Sequence, residues 1–379
     1  MAVAAAMIAL FLLVAAGDPE EVVDSYKIGA VLAITGPASW LGEPERNSLV
    51  MAAEMINDDG GINGIPIELF IEDTVGDETK SVNAVKKLIN SDDVLAIIGP
   101  SRSGCTMAVI PIVEKAQMPL ISCAAAAAIV DPVKKWVFKT PQLDSHAVDR
   151  IYGHMNKTRI KNIAIISGTT GFGNQGREQL KSLAGDYGIN IVADETYGPA
   201  DADMTAQLTK IRGTNAEALV NWSIVPAQII VAKNMRQLGM DIPLYQSHGF
   251  GNIKYVQAGG EAAEGIIFPA GRLLAADTVP SSHPQKKFLM EYKSLYEDRF
   301  NEPVSTFGGH AWDAIWMLKI AIEEAGADKA GIRDAFEKIT GFAGTGGVFN
   351  YSASDHTGLK KDAFEMLTVK NGQFVVLED

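Results

Sequence analysis

From Tyr26 onward the chain alternates between short apolar, β-branched runs and longer amphipathic stretches. Lys27–Ile34 (KIGAVLAI), Ile65–Asp73 (IPIELFIED) and Val94–Pro100 (VLAIIGP) read as strands. Between them, Glu45–Gly61 and Thr79–Ser91 carry apolar residues at helical spacing, the first ending at a glycine pair. The alternation continues with a helix at Met107–Met118, a strand at Pro119–Cys123, a helix at Leu143–Thr158 and a strand at Asn162–Ser167. It runs on through Glu178–Gly188, Ile189–Tyr197, Asp203–Thr214, Ala216–Trp222, Pro226–Met240 and Pro243–His248. Such strand–helix alternation predicts parallel sheets covered on both faces. The strands are too many for one comfortable sheet, so the expected fold class is α/β with two lobes. One stretch, Cys123–Val130 (CAAAAAIV), resembles disorder but reads as a close-packed turn leading into DPVKKWVFKT, because small side chains let backbone approach closely. A short helix start there is the alternative.

Composition narrows the class. The 379 residues are 47% hydrophobic and 21% charged, which excludes disorder, and the length favours two domains. A net charge of −13 disfavours nucleic acid and anionic lipid as partners. Residues 1–17 are apolar and uncharged, too short for a comfortable membrane span, and end in small residues before DPEE. They read as a cleaved secretory signal, although the usual basic leading region is missing; a buried helix is the alternative. No cysteine directly follows that run, which argues against a lipid anchor. The expected product is exported, soluble and periplasmic. Cys105 and Cys123 show no metal spacing; one bridge between them or two buried thiols are equally open.

Candidate chemistry is sparse. Gly171–Gly176 satisfies G-x-G-x-x-G after an apolar strand, and Asp194 sits near the end of the next strand, where a ribose-binding acid would lie. Four residues separate Ile166 from Gly171, and the strand is not first in its series, so an NAD-dependent enzyme is the weaker reading. The six histidines, His146, His154, His248, His283, His310 and His356, show no metal motif, and no nucleophile elbow is present. The chain therefore reads as a non-enzyme with no metal and no cofactor. Two strand-to-helix junctions suit binding instead. Ser101, Arg102, Ser103 and Gly104 offer hydroxyls and backbone N–H groups suited to a carboxylate, or simply a helix cap by Ser103 or Thr106. The segment TGPASWLGEPERN offers Trp40 and Leu41 as apolar cover.

The motifs KIGAVLAITGPASWLG, DDGGINGIPIELFIEDTVGD, AIIGPSRSG, MPLISCAAA, VFKTPQLDS, NIAIISGTTGFGNQG, QLGMDIPLYQSHG, AAEGIIFPAG and HAWDAIWML together resemble the leucine/isoleucine/valine-binding proteins. These are type I periplasmic solute-binding proteins, receptors of ABC importers. The resemblance covers Tyr26 to Asp379 and implies two Rossmann-like lobes joined by three crossings, with ligand held between them by hinge closure. It implies one lobe at residues 26–141 and 271–345 and another at 142–270 and 346–379, with crossings near Pro141, Ala270 and Thr345. It further implies a monomer that presents the closed form to a membrane permease. By resemblance Ser103 and Gly104 receive the ligand carboxylate with Ala124 and Ala126, where the family's threonine hydroxyl is absent at Ala126. The positions that hold an ammonium in the family carry Ile224 and His248 here. Leu41, Phe172 and Phe307 match positions covering the ligand's side chain, and Trp222 supplies a further apolar wall. A buried ammonium without a counter-charge costs several kcal/mol. The expected ligand is therefore a carboxylate without an α-amino group, aromatic or branched aliphatic; the alternative is a branched-chain amino acid or amide receptor.

Overall fold

The computed structural model describes residues 24–378, so the expected signal at residues 1–17 lies outside the described residues. The first half of the chain runs β1 (Tyr26–Leu32), α1 (Ser39–Asp58), β2 (Ile67–Asp73), α2 (Glu78–Asn90), β3 (Ala96–Ile98), α3 (Ser103–Ala116), β4 (Leu120–Ser122) and β5 (Val137–Lys139). These strands form one wholly parallel sheet in the order β2-β1-β3-β4-β5. Strands β1, β3, β4 and β5 are almost entirely buried because helices cover both faces, as a parallel sheet requires, whereas the edge strand β2 is only partly buried. Local signals set the ends: the Asp77 carboxylate accepts the Lys80 N–H at 2.8 Å and so caps α2, an interaction worth about 1 kcal/mol.

The chain then crosses into α4 (Asp144–Lys157), β6 (Asn162–Gly168), α5 (Gly171–Ala184), β7 (Asn190–Tyr197), α6 (Thr205–Arg212), β8 (Ala218–Trp222), α7 (Gln228–Gln237), β9 (Leu244–Gln246), α8 (Ile253–Gly259) and β10 (Ile267–Gly271). It returns to the first lobe with α9 (Lys286–Phe300), α10 (Thr306–Ala325), α11 (Lys329–Phe336), β11 (Thr340–Ala343) and β12 (Val348–Asn350), and ends in β13 (Phe364–Lys370) and β14 (Gln373–Val376). The second sheet is ordered β14-β13-β10-β9-β8-β6-β7. Its β6 to β10 pairings are parallel, whereas β13 and β14 add antiparallel strands at one edge. Two α/β lobes are therefore present as expected, one sheet being mixed rather than parallel throughout. The third crossing needs correction. Phe349, Tyr351, Leu359 and Ala363 pack in the core of the first lobe, while Phe364 and Leu367 pack in that of the second. The chain changes lobes near Phe364, not at Thr345. Asp313 of α10 holds the Thr345–Gly346 turn to the first lobe, accepting both backbone N–H groups at 2.7 and 2.8 Å.

Candidate functional site

The lobes meet across the carboxyl ends of their strands, where open α/β sheets place ligands. Leu41, Ala125 and Phe307 come from the first lobe but pack in the hydrophobic core of the second. The Asn252 amide donates to the Trp40 carbonyl at 2.9 Å, and the Thr306 N–H donates to the Gly251 carbonyl at 3.1 Å. Trp40 also meets Tyr255 edge-on at 5.1 Å. These contacts define a closed arrangement.

The Ser103 junction is built differently from a simple cap. Helix α3 begins at Ser103 with Arg102 at its N-cap and no side-chain cap bond. The Ser103 hydroxyl instead accepts the Ala126 N–H at 3.3 Å, tying α3 to the loop after β4. Thr106 is likewise no cap: its hydroxyl pairs with that of Ser122 at 2.9 Å, and Ser122 accepts the Ala124 N–H at 3.1 Å. Accepting from Ala126 leaves the Ser103 hydroxyl proton able to donate to an anion at the buried face of this loop. Gly104 opens the helix beside it. Arg102 does not join them, because its guanidinium donates to the Gly76 carbonyl at 2.8 Å. The Cys123–Val130 stretch is buried from Cys123 to Ala127, with a short 3-10 turn at Ala127–Ile129, so both readings of it hold in part. Cys105 and Cys123 are buried free thiols, not a bridge.

Aromatic rings line the facing lobe. His248 follows β9 and lies 5.2 Å from Phe172, 5.7 Å from Trp222 and 5.4 Å from Phe364. Neither nitrogen of its ring has a hydrogen-bond partner. Burial pushes its pKa well below the usual imidazole range, and Lys139 and His310 add to the shift. Ile224 is buried, and its carbonyl accepts the Tyr255 hydroxyl at 2.9 Å. Trp40 and Leu41 stand on the first turn of α1 rather than on a loop. Ser103, Ala124, Ala126, Leu41, Phe172, Ile224, His248, Trp222 and Phe307 are all buried; Leu41, Phe172, Ile224, Trp222 and Phe307 share one hydrophobic core, whereas Ala124 and Ala126 pack in a separate cluster of the first lobe. Trp40 stays partly buried.

The glycine motif has a different basis from the one its pattern suggests. Strand β6 continues to Gly168, so two residues rather than four precede α5, and Gly171–Gly176 is helix rather than loop. A Cβ on Gly173 would fall 1.8 Å from the Gly168 carbonyl oxygen, and one on Gly176 would fall 1.9 Å from the Trp222 indole nitrogen. At Gly171 a Cβ would come within 2.7 Å of Gly104 in the opposite lobe. Close packing explains all three positions. The helix N-terminus abuts α3, leaving no room for a pyrophosphate in this arrangement, and Asp194 is engaged by Arg177 and Lys181, each at 2.6 Å.

Buried charges near the cleft escaped motif reasoning. Lys139, at the end of β5, is fully buried; its ammonium donates to the Ala125 carbonyl and, at 3.3 Å, to that of Gln142. Burial lowers its pKa to about 7. Glu45 is also fully buried, accepting the Ser101 hydroxyl, while Ser101 accepts the Ala33 N–H at 3.0 Å. Burial holds this carboxyl well above its usual range. A lone lysine inside the apolar run VFKT was the one readable signal.

A closed, two-lobed α/β shell with an anion-ready loop facing an aromatic wall is the architecture of a solute-binding receptor. The chain belongs to the periplasmic binding protein family, whose model matches residues 25–373. Among curated relatives it is 26% identical to a leucine-, isoleucine-, valine-, threonine- and alanine-binding protein of Pseudomonas aeruginosa, over 86% of this chain and 85% of that one. Among solved structures, an extracellular ligand-binding receptor from Rhodopseudomonas palustris superposes with a TM-score of 0.88 at 26% identity, covering 93% of this chain and 99% of the other. A branched-chain amino acid transporter substrate-binding protein of Streptococcus pneumoniae, in complex with isoleucine, gives 0.82 at 26% identity, covering 92% and 97%. The chain is thus a periplasmic binding protein, similar to receptors named for leucine, isoleucine and valine. Among the described residues no helix is long and apolar enough to cross a membrane.

Proposed function

We propose that this protein captures a small carboxylic acid between its lobes in the periplasm and delivers it, as a monomer, to the permease of an ABC importer. The observation that carries this reading is the buried Ser103–Ala126 junction, which presents a hydroxyl beside a helix N-terminus opposite an apolar wall. Within that class, branched-chain amino acids have the broadest support, because several relatives bear names of leucine, isoleucine and valine receptors.

One observation favours a second reading, an aromatic or branched aliphatic acid without an α-amino group. The positions expected to hold an ammonium carry Ile224 and His248, and the groups whose charge acts on His248 are Lys139 and His310, neither of them a carboxylate. A thermal-shift screen separates the readings, since a ligand that binds only the folded state raises the melting temperature by mass action. Stabilisation by leucine, isoleucine or valine but not by their des-amino counterparts establishes the first. The reverse pattern establishes the second.

A further inference from the structure

Two buried histidines, one from each lobe, leave ring nitrogens without partners. Among the described residues, His248 leaves Nδ1 and Nε2 unpaired, and His310 leaves Nδ1 unpaired. The two side chains come from opposite lobes, His248 from the turn after β9 and His310 from the start of α10. Their residues are 8% and 6% exposed, so each is more than nine-tenths buried. His310 lies close enough for its charge to act on His248. One turn earlier on α10, Phe307 packs in the core of the opposite lobe, so this face of the helix looks across the cleft. An unmade hydrogen bond on a buried polar atom costs about 1–3 kcal/mol, and buried polar groups in native proteins are nearly always paired. Three such atoms, on two buried side chains within electrostatic reach of each other across the lobe boundary, point to a bound group that satisfies them.

The chemistry of the two rings selects that group. Burial and the Lys139 ammonium lower both imidazole pKa values, that of His310 to about 3, so both rings are neutral at physiological pH. A neutral imidazole presents one N–H donor and one lone pair. The charged group that acts on both rings is the Lys139 ammonium, which bonds to the Ala125 and Gln142 carbonyls and has Asp144 and Asp355 as its own electrostatic partners. A cation is therefore poorly matched here, whereas a hydroxyl or carbonyl can use both rings.

We infer that His248 and His310 together grip a second, uncharged polar group of the ligand, making the solute a hydroxy- or oxo-carboxylic acid. This rests on the reading of the cleft as a carboxylate site and goes past it by giving the solute a second functional group and assigning His310 a part in selecting it. Calorimetric titration of the full-length chain with matched probes tests it: 4-methylpentanoate against its 2-hydroxy and 2-oxo forms, benzoate against 4-hydroxybenzoate, and L-leucine. In at least one set the hydroxy or oxo acid binds about 10-fold or more tighter than its parent. His248→Phe and His310→Phe each erase that advantage, so that the ratio of the two Kd values within a variant falls to about 1, and His248→Gln restores part of it. Melting temperatures of the unliganded variants verify folding. Equal binding of parent and polar acids, or an advantage that survives both variants, overturns the inference and leaves the carboxylate receptor standing. Binding of L-leucine alone overturns it in favour of an amino-acid receptor. Failure of every probe removes both the inference and the carboxylate reading.

Discussion

Adding one methyl group at Gly171 isolates closure from ligand contact. A Cβ there would sit 2.7 Å from both the Cα and the backbone nitrogen of Gly104, against an ordinary contact that begins at 3.4 Å. The obstacle is backbone at the start of α3, next to Ser103, so relief requires the lobes to part by several tenths of an ångström. Overpacking of this kind costs about 1–3 kcal/mol. Because Gly171 and Gly104 belong to different lobes, that cost falls on the closed state alone. Apparent affinity scales with the population of the binding-competent state, so Gly171→Ala should weaken binding by about 5- to 150-fold at 1.4 kcal/mol per decade. Calorimetric titration with whichever solute raises the melting temperature supplies the Kd, and a melt of the unliganded variant supplies the control. Gly104→Ala is the companion variant. Its Cβ meets the tip of the exposed, flexible Glu78 side chain at 2.4 Å rather than backbone, so it should lose less. An unchanged Kd for Gly171→Ala would refute the reasoning. So would an unliganded melting temperature that falls in step with affinity, since the contact would then matter in both states.

Three further outcomes follow from the same geometry. Ser103→Ala should weaken carboxylate binding by about 1–3 kcal/mol, the cost of an unmade hydrogen bond to a charge, measured by titration; unchanged affinity would move the anion site elsewhere. Gly176→Ala should destabilise the unliganded protein strongly, because the new Cβ falls within 2.1 Å of two atoms of the rigid, buried Trp222 ring; a chemical melt reads the loss. Lys139 titrates near 7 when folded against a reference value of 10.5. Between those values the unfolded chain holds a proton that the folded chain lacks, so stability gained from this group rises with pH across that window. Lys139→Met should flatten the rise, and urea melts at intervals from about pH 7 to 10 would show it. An identical pH slope in the variant would sink the assignment.

The strand–helix alternation was legible because parallel sheets bury both faces and so demand continuous apolar runs, as in KIGAVLAI and NIAIIS. It failed where that demand lapses. β13 and β14 form an antiparallel edge, and the chain up to Ala363 packs with the first lobe although resemblance assigned residues 346–363 to the second. Helix starts were placed late at α1, α3 and α5, because glycines and prolines in their first turns look like loop. At the site, Ser103, Phe172 and His248 were readable as positions in a pattern. His310 was not, and Lys139 showed only as a lone lysine inside an apolar run, since what marks both is their burial. Arg102 shows the converse: its residue type suited an anion, and its actual partner is the Gly76 carbonyl.

Leu41, Ala125 and Phe307 are covalently part of one lobe and packed in the core of the other. Separating the lobes therefore exposes apolar surface of the protein itself, beyond what the solute carries. Burial of apolar surface makes the heat capacity of binding negative, by about 0.45 cal/mol/K for each Å². The binding enthalpy of this receptor should accordingly become more favourable on warming, with a slope to which the protein's own side chains contribute alongside the solute. Two solutes that close the lobes equally should then share that contribution even where their affinities differ widely.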